Sequence, residues 1–96
     1  MTTDEIVDHN FGALLYGLHA TAVLYMGLDG KTKPNLELAR ENIAIITTLK
    51  NKTHGNLATA ETTLINEIIS DLQMKYAQVS DATTAENKLE DNDGEA

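Results

Sequence analysis

The 96-residue chain has no cysteine and no tryptophan. Without thiols there are no disulfides and no thiolate metal sites. A domain this small must then rest on its apolar core or on association with other chains. Aromatic residues are also scarce, at Phe11, Tyr16, Tyr25 and Tyr76 only, so a core has to come from Leu, Ile, Ala and Met. A single proline, Pro34, leaves long stretches with no residue that forbids a helix. Positive charge is the last shortage. Seven Lys and Arg stand against fifteen Asp and Glu, for a formal charge of −8. Such a chain repels phosphate backbones, which argues against nucleic-acid binding. The pairs Lys31/Lys33 and Lys50/Lys52 fall in or near loops and make no basic patch.

The negative charge is uneven. Residues 81–96 carry Asp81, Glu86, Glu90, Asp91, Asp93 and Glu95 against Lys88. This stretch is poor in large aliphatics and reads as a disordered acidic tail. At the other end, Asp4, Glu5 and Asp8 precede the apolar sequence where a secretory signal would carry positive charge, so cytoplasmic residence is expected. Residues 1–9 read as a polar lead-in and 10–80 as the folded domain.

Three helices are expected, over about 11–28, 36–53 and 59–79. Asn10 and Asn35 suit N-cap positions, because a short side-chain oxygen can accept from the first free N–H groups. Gly27 and Gly55 suit the stops. The segment 29–34 is a loop by composition. In the second helix Leu36, Ala39, Ile43, Ile46 and Leu49 recur at helical spacing, with Ile45 widening the stripe. In the third, Leu64, Ile65, Ile68, Ile69, Leu72, Tyr76 and Val79 do the same. The expected fold is all-α, with an antiparallel hairpin of the last two helices and completion by oligomerisation.

The first helix is apolar around its whole circumference, interrupted by His19 and Thr21. Such a helix must be enclosed by protein or lipid, and two partner helices cover about half of it. At 1.5 Å per residue, residues 11–28 reach about 27 Å, just short of the roughly 30 Å membrane core. His19, the lack of tryptophan and the acidic flank all argue against a span. Ala13, Gly17 and Thr21 lie four apart and allow close approach of two backbones. With Leu14 and Val23 they form the expected self-association interface, with a homodimer favoured.

No chemistry-bearing pattern emerges. His9, His19 and His54 have no second ligand at helical spacing, and no Glu-x-x-His motif, phosphate loop, nucleophile elbow or zinc-protease signature occurs. No cofactor is expected. His19 reads as a hydrogen-bonded core or interface histidine, able to make assembly pH-sensitive if it sits near its symmetry mate. Glu67, Asp71 and Lys75 read as a solvated face with one ion pair at i, i+4. Tyr16, His19 and Met26 are the residues that a small apolar pocket would use.

Three segments carry a resemblance. They are Asn35-Leu36-Glu37-Leu38-Ala39-Arg40, then Leu49-Lys50-Asn51-Lys52-Thr53-His54-Gly55-Asn56-Leu57, then Leu64-Ile65 through Asp71-Leu72-Gln73-Met74-Lys75-Tyr76. Over about residues 10–79 the chain resembles a bacterial domain-of-unknown-function family, number eighteen forty-four. Ala58 stands where that family tends to place a threonine N-cap, and Gln73 replaces a common arginine. The resemblance implies a short helical protein and brings no activity or site residue. Gly55, Asn56 and Leu57 have a structural reading of their own: a left-handed stop, a turn, and a plug for the corner. Taken together, the sequence points to a non-enzymatic, self-associating helical module that binds protein partners. The alternatives are a membrane-associated protein anchored through residues 11–28 and a carrier of a small apolar ligand.

Overall fold

A computed structural model describes residues 5–95, the side chains only up to Ala82. It contains three helices, α1 (His9–Tyr25), α2 (Leu36–Lys52) and α3 (Thr59–Glu95), each packed against the other two. No strand occurs among the described residues.

The start of α1 differs from expectation. Asp8, not Asn10, is the N-cap, its Oδ1 accepting from Phe11 N–H at 2.9 Å. Either side chain can cap, but Asp8 is also held from outside, as described below. The helix ends at Tyr25 rather than near Leu28, because Gly27 takes a left-handed φ of +74°. A Cβ there would lie 2.7 Å from Pro34 Cγ, so only glycine fits the turn. The N–H of Asn35 then donates to the Tyr25 carbonyl (2.6 Å), bringing the start of α2 onto the end of α1. Asn35 caps α2 as its sequence position implies, accepting from Leu38 N–H at 3.1 Å. Gly55 has φ +86° just past the end of α2, and Leu57 is half-buried against the core.

The core is Leu15, Ala22 and Met26 of α1 and its cap, Ala39 and Ile46 of α2, and Ile65, Ile68, Ile69 and Leu72 of α3. Burying side chains of this size contributes about 1.5–3 kcal/mol each. The row expected on α3 is the row that packs. On α2 the core face is turned: Ile45 is exposed, and Asn42 occupies a buried position with its Nδ2 unpaired. Residues 42 and 46 share a side with 39, whereas Ile45 lies off that line, so an aliphatic beside the stripe was misread as part of it.

The third helix passes the expected end near Val79 and continues to Glu95. Between Ser80 and Asp93 there is neither glycine nor proline, and Ala82, Ala85, Glu86, Lys88, Leu89 and Glu90 are good helix formers. The expected acidic tail, 81–96, falls on this extension as far as Glu95, with Ala96 outside the described residues, and from Thr83 onward the side chains are not described.

Candidate functional site

Two polar arrangements tie α1 to α3. Near the start of both helices, Glu61 is almost fully buried at 8% exposure. It continues the apolar row of Ile65, Ile69 and Leu72 by one turn. Its Oε1 accepts from its own Ala58 N–H and its Oε2 from Asp8 N–H, both at 2.9 Å. The first bond is half of a capping box, whose Ser/Thr partner is missing because residue 58 is alanine. The second links residues 53 positions apart and fixes the lead-in at the residue that caps α1. Glutamate at this spacing signals a helix start. That it also captures a distant N–H is not visible in local sequence.

In the middle of the same contact, His19 Nε2 is 2.8 Å from Asp71 Oδ2, and Lys75 donates to Asp71 Oδ1. The His19 hydrogen bond, followed by that of Lys75, holds the Asp71 carboxyl below the usual carboxylate range. The i, i+4 pair was legible in the sequence, whereas the histidine on its other oxygen was not. His19 lies about 200° around the helix from Gly17 at 100° per residue. It is therefore engaged within its own chain, away from the stripe, and is not placed to meet a symmetry mate there.

The opposite side of α1 is open. Asn10, Ala13, Leu14, Gly17, Ala20, Thr21, Leu24 and Leu28 are all exposed, and none is charged. Leu14, Leu24 and Leu28 keep 48%, 44% and 47% of their surface in water. Thr21 donates its hydroxyl to the Gly17 carbonyl at 2.8 Å, so its hydroxyl is satisfied within the helix. The two helical glycines part company. A Cβ on Gly12 would meet Val7 Cγ1 at 3.2 Å, whereas one on Gly17 would meet nothing within 4 Å. Gly12 is thus used inside the chain and Gly17 is not. Of the five expected interface residues, Ala13, Leu14, Gly17 and Thr21 lie on this open side. Val23 does not: it is half-buried and packs on the core.

The expected pocket is not assembled. Tyr16 borders a hollow of about 290 Å³ with Val7, His9 and Gly12, while Met26 borders another of about 340 Å³ with Leu28, Pro34 and Val79. His19 borders neither. A groove of about 440 Å³ between α2 and α3 is lined by Thr47, Lys50, Asn51, Asn66, Ser70 and Gln73 over Ile69, with no carboxylate. Among the described residues no three His, Asp or Glu side chains come together to hold a metal ion. No described helix is long and apolar enough to cross a membrane, which corrects the spanning form of the anchor considered for residues 11–28.

The structure thus defines a class: an all-α, three-helix unit, pinned at one end by a buried glutamate, with an uncharged apolar face left open on its first helix. The chain belongs to the family described as domain of unknown function (DUF1844), whose family model matches residues 8–78. That span opens on the residue that caps α1 and closes one residue before Val79, which packs on the core. No curated protein matches the chain, and no solved structure does.

Proposed function

We propose that the protein is a non-enzymatic helical module of the cytoplasm that self-associates through the open side of α1 and, once assembled, docks protein partners. One observation carries this reading. The stripe from Ala13 to Leu28 is uncharged, contiguous and exposed, and it presents three leucines to water. Isolated exposed apolar residues are ordinary on a monomer, but a continuous uncharged helix face marks an interaction surface. Gly17 supports the same reading. An exposed glycine inside a helix costs about 0.5–1 kcal/mol relative to alanine, and nothing in its own chain uses the space beside it.

Light scattering across a protein concentration series tests this reading. Wild type should rise above the monomer mass as concentration increases. Gly17→Leu, whose Cβ would point into open space, should stay monomeric with unchanged helical content by circular dichroism. A monomer mass for both proteins at every concentration would defeat the proposal.

A further inference from the structure

We infer that the groove between α2 and α3 binds a short extended peptide segment of a partner protein, with an acidic side chain at the Lys50 end. The inference rests on the partner-docking part of the reading above and names its site and the chemistry of the partner. It makes no use of the open side of α1.

Three features point to it. First, the groove has two polar walls and an apolar floor. Thr47, Lys50 and Asn51 of α2 form one wall and Asn66, Ser70 and Gln73 of α3 the other. Ile69, 9% exposed, lies beneath them. An extended peptide has the same plan, with N–H and C=O groups along both edges and side chains above and below. Each side-chain amide carries donors and an acceptor, as a peptide unit does.

Second, the spacing fits and the polar groups are unspent. Thr47 and Asn51 are about 6 Å apart along α2, and so are Asn66 and Ser70 along α3. Groups on one edge of an extended chain repeat about every 6.6–6.8 Å. Asn66 to Gln73 spans about 10.5 Å, the length of roughly three extended residues. Among the described residues, no side-chain hydrogen bond or ion pair engages Lys50, Asn51, Asn66, Ser70 or Gln73. The Thr47 hydroxyl donates to the Ile43 carbonyl at 3.0 Å and keeps its lone pairs for a ligand N–H.

Third, the charges favour an acidic group at the hairpin end. From Asn42 to Asn66 the sequence holds Lys50 and Lys52 against one acidic residue, Glu61. Glu61 is buried, and its two oxygens accept from the Ala58 and Asp8 N–H groups. It lies about 140° round α3 from Asn66, so Glu61 and the neighbouring Asp8 are on another side of the helix. Glu67 lies about 100° round from Asn66, and Asp71 is held by His19 and Lys75. Glu37 and Glu41 stand at least about 13 Å from Lys50 along α2. An incoming chain therefore meets Lys50 with no carboxylate in the groove beside it.

Titration of the full, isotope-labelled chain with the probe acetyl-Ser-Val-Ser-Asp-amide, followed by NMR, tests the inference. The backbone amides of Thr47 to Asn51 and of Asn66 to Gln73 should shift, together with the side-chain amides of Asn51, Asn66 and Gln73. An open groove of this length should saturate with a dissociation constant of about 1 mM. Asn in place of Asp in the probe, or Lys50→Gln in the chain, should each weaken binding about fivefold at low salt. The two changes together should weaken it no further than either alone. A probe N-methylated at its central residues, which loses edge donors, should bind about tenfold more weakly, and Asn66→Ala with Gln73→Ala should do the same to the original probe. No saturable shift at these residues up to about 10 mM overturns the inference. So does an equal response to the N-methylated probe or to acetate alone, which would mark a carboxylate contact without recognition of the backbone. Light scattering on the same samples reports self-association separately, so loss of the groove leaves the α1 reading standing.

Discussion

On one side of α1, Leu15, Ala22 and Met26 keep at most 1% of their surface in water; on the other, Leu14, Leu24 and Leu28 keep 44–48%. The two sides are about equally apolar, so hydrophobicity alone does not decide which of them meets α2 and α3. The polar residues run against the usual rule. His19 faces inward, where Asp71 satisfies it, and the outward side carries leucines and no charge. What selects the inner side is shape and polar satisfaction: Gly12 close against Val7, His19 on Asp71, and Asp8 on Glu61.

The sharpest way to break the comparison is to make the same truncation on each side. Leu15→Ala removes a fully buried side chain and should cost about 2–5 kcal/mol of unfolding free energy, read by urea titration. Leu14→Ala, its neighbour on the outer side, should change monomer stability by no more than about 0.5 kcal/mol while weakening association. Equal losses in a strictly monomeric sample would show that the outer side is buried within the single chain.

Next in size is the pin that orients α1. Glu61→Ala strands the Asp8 and Ala58 N–H groups and opens a gap at the end of the core row, for an expected loss of about 1–3 kcal/mol. Amide hydrogen exchange should locate the effect, with Asp8 and Ala58 losing protection together. Loss of protection at Ala58 alone would mean that Asp8 is held by other contacts.

Gly17→Ala should give a smaller change of opposite sign. Nothing in the chain opposes the added methyl, so the monomer should gain about 0.5–1 kcal/mol from helix propensity. Association should fall at the same time, because the methyl enters the open space on the proposed self-association side. Gain and loss together are what separate an interface glycine from a merely tolerated one. A gain with undiminished association would remove Gly17 from the interface.

Legibility in the sequence followed the range of each interaction. Asn35, Gly27 and Gly55 act through backbone groups a few residues away, and each did what its position implied. The α3 row packed as its spacing predicted, because one face of that helix is apolar and the other polar. Ile45 was misplaced because neighbouring aliphatics blur the edge of a stripe, and Val23 because α1 is apolar on all sides. Glu61 with Asp8 and His19 with Asp71 join residues more than fifty positions apart, and no local pattern encodes such pairs. The polarity of residues 81–96 suggests a tail, and α3 runs through them to Glu95, where nothing before Gly94 opposes a helix.

The subtlest expected effect concerns that second long-range pair. The Asp71 carboxyl is lowered by the His19 hydrogen bond and then by Lys75, so its ionised form is favoured by folding. A depressed carboxylate contributes stability above the unfolded value, near 4, and that contribution fades as pH falls through the lower folded value. Asp71→Asn removes it. The variant should therefore be slightly less stable than wild type at pH 7, and the two should converge as the pH is taken from 4 toward 2. Urea midpoints at pH 7, 4 and 2.5 provide the check. A difference that stays constant across this range would assign the role of Asp71 to shape and hydrogen bonding that Asn reproduces poorly, not to its charge. His19→Leu removes the larger of the two causes: it should erase more of the pH dependence than Lys75→Met, since the histidine bond is the stronger influence on the carboxyl.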